Sequence, residues 1–162
     1  MKRRQLCLTL LAATLCGACA EPHAPQDLIT PAGSFQSDAK SLSAPREMFA
    51  VVVTQHGCEH CELLRRNVLH PAIRRNELDP RVELREVSIN ADFTVTDFQG
   101  EVISGKEFVS RYGIDITPTV LFLDRAGNSL VEPLIGTGNI EFYSFYLDKK
   151  IGAAAETLNT SR

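Results

Sequence analysis

The sequence predicts an α/β fold, a central mixed sheet flanked by helices on both faces. Three observations carry that reading. Met48-Phe49-Ala50-Val51-Val52-Val53-Thr54 is a short, β-branched apolar run with the composition of a buried strand. An amphipathic helical stretch follows over 62–69, then an alternating strand over 82–89, the order of a strand–helix–strand crossover with parallel strands. Finally, 116–124 and 130–135 flank the turn Arg125-Ala126-Gly127-Asn128, an antiparallel hairpin, and a helix over 140–151 closes the chain.

Residues 1–20 stand apart from that domain. Lys2, Arg3 and Arg4 precede an apolar stretch over 6–15, and small residues close it at Cys16-Gly17-Ala18-Cys19-Ala20, the pattern of a secretory signal peptide. The apolar run falls short of the ~20 residues that span a bilayer. Two processing routes are open. Ala18-Cys19-Ala20 is an A-x-A cleavage site, whereas Gly17-Ala18-Cys19 resembles the end of a lipobox, which would place a lipid anchor on Cys19. The residue three before Cys19 is Cys16 rather than the usual Leu. Either route exports the chain to the periplasm.

Residues 21–45 are rich in Pro, Ala, Ser and Gln and read as a flexible linker, with a short helix over 37–42. The folded domain is expected over 46–152. Leu64 and Val68 lie one turn apart in its first helix, and Pro71 starts a second short helical segment. Residues 94–103 form a small hairpin or loop excursion. Ser104-Gly105-Lys106-Glu107 is a capping box opening a helix with Phe108, Val109 and Tyr112, which Gly113 ends. Tyr143, Phe145, Tyr146 and Leu147 are read as core packing of the last helix. The tail, 153–162, should fray.

The full chain of 162 residues carries a net charge of −3, with 44% hydrophobic residues. Loss of 1–20 removes three basic residues and no acidic one, leaving −6. An acidic surface argues against nucleic acid as a partner. Export also simplifies the cysteines. Cys7 and Cys16 leave with the signal and Cys19 is removed or acylated, so only Cys58 and Cys61 remain as thiols.

That pair sits in His56-Gly57-Cys58-Glu59-His60-Cys61, where the first strand ends and a helix begins. The first turn of a helix offers unpaired N–H groups and the positive end of its dipole, which favour a thiolate over a thiol. Cys58 is the exposed member and candidate nucleophile. Cys61, one turn further in, is placed to resolve a mixed disulfide. Two alternatives stay open. The pair is half of a zinc site only if a second Cys or His pair follows, and after Cys61 only His70 does. A compact set of His56, Cys58, His60 and Cys61 suits copper or zinc. An inert pair is the remaining alternative.

Joined to Thr117-Pro118 immediately before a strand and to the Gly127 hairpin, Cys58-Glu59-His60-Cys61 resembles the thioredoxin family. Val95-Thr96-Asp97-Phe98-Gln99-Gly100, Ser104-Gly105-Lys106-Glu107, Tyr112-Gly113-Ile114, Ile116-Thr117-Pro118-Thr119 and Gly136 look closer still to SoxW-like exported thioredoxins. The resemblance implies a thioredoxin fold and a redox disulfide between Cys58 and Cys61, with no cofactor and no metal. It implies a cis Pro118, with the Thr117 backbone able to pair with a substrate strand. Glu59 and His60 would tune the Cys58 pKa in opposite senses. At Val52, six residues before Cys58, cytosolic thioredoxins carry a buried acid, so proton transfer needs another group. The implied activity is thiol:disulfide exchange with periplasmic proteins, more as a reductase fed by a membrane thiol donor of the DsbD/CcdA kind. A DsbA-like oxidase fits less well, because too few residues separate the second strand from Pro118 for that family's helical insert. A copper carrier lacks the distant histidine. A monomer is the default.

Overall fold

The computed structural model describes residues 27–160; the signal segment, Cys19 and the first residues of the linker lie outside them. Helix α1 (Phe35–Ser41) precedes strand β1 (Met48–Thr54), then α2 (Glu59–Leu64), a π-helical turn (Arg65–Leu69) and α3 (His70–Arg75) run on without a break. Next come β2 (Val82–Ser88), a hairpin of β3 (Thr94–Thr96) and β4 (Val102–Ser104), α4 (Gly105–Ser110), β5 (Thr119–Leu123) and β6 (Leu134–Ile135). A short 3₁₀ turn leads into α5 (Tyr143–Thr160).

The main sheet has the order β2-β1-β5-β6. β1 pairs with β2 in parallel and with β5 antiparallel, so the sheet is mixed, as expected of a crossover followed by a hairpin. Every residue of β1 is buried, because helices cover both faces. Met48, Ala50 and Val52 face a core with Leu64, Leu69, Tyr143 and Ile151. Phe49, Val51 and Val53 face a second core built on Phe35 and Phe108, whose rings stack 4.8 Å apart.

Four sequence expectations need correction. The linker reading of 21–45 fails from residue 27 onward, where the chain is part of the domain. Ile29, Ala32, Phe35 and Leu42 are buried, and the Ala32 N–H donates to the Glu86 carbonyl at the edge of β2 (2.7 Å). Its apolar residues are too few and too unevenly spaced to show a period, yet each fills a core that already exists. At the other end 153–160 does not fray. α5 runs to Thr160, and Ala154 and Ala155 are small enough to let the helix lie against the sheet. The aromatic face divides: Tyr143 and Leu147 are one turn apart and buried, whereas Phe145 (62% exposed) and Tyr146 (46% exposed) fall off that stripe. The strand expected over 130–135 is reduced to Leu134–Ile135, since Pro133 supplies no donor for the ladder.

Candidate active site

β1 delivers the chain to the loop at Gln55–Gly57, which is pinned by the His56 N–H donating to Asn90 Oδ1 (3.0 Å) just beyond β2. Cys58 is the N-cap of α2, and its Sγ accepts from the Cys61 N–H at 3.1 Å. The sulfur therefore occupies the place a Ser or Asp oxygen takes in an ordinary cap. Cys58 and Cys61 form a disulfide, with Cα atoms 5.2 Å apart. Their environments differ. Cys61 is 1% exposed, packed under the helix, while Cys58 is only half-buried. An incoming thiol or disulfide reaches the first sulfur and not the second.

Two distant loops close around this pair. The Thr117–Pro118 peptide is cis, Pro118 is buried, and the Thr117 hydroxyl donates to Cys58 Sγ at 3.5 Å. After β6, the Gly136 N–H donates to the Pro118 carbonyl (2.8 Å), and the next residue, Thr137, lies with Oγ1 3.2 Å from His60 Nδ1. Glu59 and His60 are both exposed. Ile116 and Ile135, each next to a residue of these contacts, remain about half exposed.

Behind the active-site helix lies a charged network that sequence reasoning missed. Glu86 is the register partner of Val52 across β1 and β2, and it is 7% exposed. It accepts from the Thr54 hydroxyl (2.5 Å) and pairs with Arg65, which also meets Glu62 (2.6 Å) and Asp27 (3.4 Å). Burial pushes the Glu86 carboxyl above the ordinary carboxylate range, with Thr54 and Arg65 pulling the other way. The sequence does hold a signal: Glu86 falls in phase with Val82 and Leu84, on the face that packs under the helices. Thr137 was missed as well, its only mark being its place between two glycines.

Of the site residues expected from sequence, the fold brings Cys58, Cys61, Thr117 and Pro118 together and ties His60 to Thr137. Glu59 stands exposed, and Cys19 lies outside the described residues. Among the described residues no group of three or more His, Cys, Asp or Glu is arranged to hold a metal ion, and no helix is long and apolar enough to cross a membrane.

The sequence matches the family model described as a thioredoxin-like domain over residues 35–144. Solved structures with similar folds include a thioredoxin-fold protein from Helicobacter pylori, 21% identical, covering 76% of this chain and 92% of that one at a TM-score of 0.46. Thioredoxin f from spinach chloroplast in its short form is 15% identical, covering 79% and 97%, at 0.49. Oxidised thioredoxin O2 from Arabidopsis thaliana is 15% identical, covering 75% and 94%, at 0.47. No curated protein matches the chain significantly.

Proposed function

This chain belongs to the thioredoxin-like domain family, and from that premise we propose that it is an exported thiol:disulfide oxidoreductase that reduces disulfides in periplasmic protein partners. The observation that carries the proposal is the asymmetry of the pair: a half-buried Cys58 at a helix mouth, a buried Cys61 one turn behind, and Thr117-Pro118 against the first sulfur.

The cycle follows from that asymmetry. In the dithiol form the Cys58 thiolate attacks one sulfur of a partner disulfide. A new S–S bond joins Cys58 to the partner, and the other partner sulfur leaves as a thiolate and takes up a proton. Cys61 then loses its proton and attacks Cys58 Sγ, expelling the second partner sulfur. Two electrons have passed to the partner, and the Cys58–Cys61 disulfide is left behind. A membrane thiol donor of the DsbD/CcdA kind restores the dithiol by the same exchange in reverse. The partner strand pairs with the Thr117 backbone and lies across Ile116 and Ile135, so that its disulfide meets Cys58 in line.

The signal-like segment over 1–20 supports export, and Cys19 is a lipid anchor if cleavage falls before it. The domain works as a monomer. Electron flow toward the partner is supported by the likeness of the sequence to SoxW-like thioredoxins, whereas Glu59 and His60 act on the Cys58 thiolate in opposite senses. Equilibration with dithiothreitol and glutathione buffers tests this. A reductase should poise near thioredoxin's ~−270 mV, and a value near ~−120 mV would assign the oxidase instead. Cys61→Ser should accumulate mixed disulfides through Cys58 in the periplasm. If it traps nothing while the wild type is active, the roles given to the two sulfurs are wrong.

A further inference from the structure

We propose that Thr137 is a positioning residue for the His60 imidazole and, through it, sets the redox poise of the Cys58–Cys61 pair. The inference rests on the oxidoreductase reading and deepens it. His60 stands between the two cysteines in the first turn of α2, on an exposed surface where an untethered ring would sweep through solvent. It is not untethered. Its Nδ1 lies 3.2 Å from Thr137 Oγ1, a hydroxyl 77 positions away in sequence on a residue that is only 8% exposed.

The loop is built to present that hydroxyl. Gly136 and Gly138, on either side of Thr137, have φ of 70° and 49°, a region costly for other residues, so the backbone turns twice within three residues. Gly136 is further fixed by its N–H on the Pro118 carbonyl. Three segments are thus cross-tied around the sulfurs: Thr117 to Cys58, Gly136 to Pro118, and Thr137 to His60.

A hydroxyl is suited to this duty because it both donates and accepts. When the imidazole is neutral with a bare Nδ1, Thr137 donates to it. When the ring is protonated, Nδ1–H donates to Thr137. The ring keeps one orientation through both charge states, with Nε2 directed away from the Thr137 contact. Reduction of the disulfide creates a Cys58 thiolate at the helix mouth, beside Glu59. An imidazolium held over the same turn offsets that negative charge, and one free to leave does so less. Stabilising the thiolate stabilises the dithiol form and makes the disulfide the stronger oxidant.

Thr137→Val keeps the shape and removes the hydroxyl; Thr137→Ser keeps the hydroxyl. With glutathione as the reference couple, two glutathione thiols reduce the Cys58–Cys61 disulfide and become one glutathione disulfide. Thr137→Val should shift this equilibrium toward the protein disulfide by about 3- to 10-fold, roughly 15–30 mV more negative, and raise the Cys58 pKa seen in thiolate absorbance. Thr137→Ser should stay within about 2-fold of wild type, a margin of ~0.4 kcal/mol. His60→Ala alone should move the poise in the same direction as Thr137→Val, and adding Thr137→Val to it should move it no further. The proposal is overturned if Thr137→Val leaves the potential unchanged or shifts it toward the dithiol, or if the shift persists undiminished without His60. Should Thr137→Val not fold, an unmoved potential in His60→Ala is enough to overturn it. A wild-type pair that does not cycle with glutathione at all overturns the oxidoreductase reading instead, whereas normal cycling at one fixed potential in every variant overturns only the role of Thr137.

Discussion

Cys58 and Cys61 are the same side chain three positions apart, and burial alone gives them different work. Cys61 is 1% exposed and Cys58 half-buried, so under the proposed cycle packing sets the order of the two exchanges. Glu86 shows what burial does to a charge. Its carboxyl is pushed up by burial, so between its unfolded and folded pKa the native state holds more protons than the unfolded chain. Its own contribution to stability therefore declines as pH rises through that window. Replacing it outright is a different matter, because Arg65 and the Thr54 hydroxyl then lose their shared acceptor. Glu86→Leu should destabilise by about 3 kcal/mol or more at neutral pH, measured by urea denaturation; Glu86→Gln, which still accepts, should cost less. Tyr143 points the other way. Its hydroxyl is buried with no hydrogen-bond partner among the described residues, and burial pushes its pKa well up. Tyr143→Phe should leave stability unchanged or raise it by about 1 kcal/mol, and a clear loss in thermal unfolding would show that the hydroxyl has a partner.

At the scale of elements, the β3–β4 excursion is held by one carboxylate. Burial would raise the Asp97 pKa, but the Glu101 N–H, the Arg111 guanidinium and the Gln99 N–H outweigh it and hold the carboxyl below its usual range. That stabilisation is complete above the unfolded pKa and is lost as pH falls through the lowered folded value. Asp97→Ala should cost about 1–3 kcal/mol at pH 7 and flatten the acid side of the stability profile. A variant with an acid limb as steep as wild type would remove Asp97 from that role. The N-terminal element makes a second case. Phe35 is fully buried among Phe49, Phe98 and Phe108, so Phe35→Ala should cost about 3–5 kcal/mol. A chain beginning at Arg46 should lose its cooperative unfolding transition, whereas one beginning at Asp27 should keep it.

Over the whole molecule, the two apolar cores share one sheet, with alternate residues of β1 serving each. Neither core survives loss of β1, so both should melt together. Far-ultraviolet circular dichroism and tyrosine fluorescence, clean reporters in a chain without Trp, should give coincident transitions; separated midpoints would mean that one core outlasts the other. The site belongs to this scale too. Its groups come from the end of β1, the start of β5 and the loop after β6, neighbours only because the sheet order is β2-β1-β5-β6.

What the sequence determined by itself was local: two sulfurs at a strand-to-helix junction, a proline at the head of a strand, a capping box, the unbroken apolar run of β1 and the alternation that places β2. These are legible because helix and strand periods and cap chemistry act over a few residues. The tertiary structure alone decided that Ile29 and Phe35 are core, that Phe145 and Tyr146 are not, that Glu86 lies under the active-site helix, and that Thr137 holds His60. Each depends on which distant segments the sheet brings into contact, and such contacts leave no period in the chain that makes them.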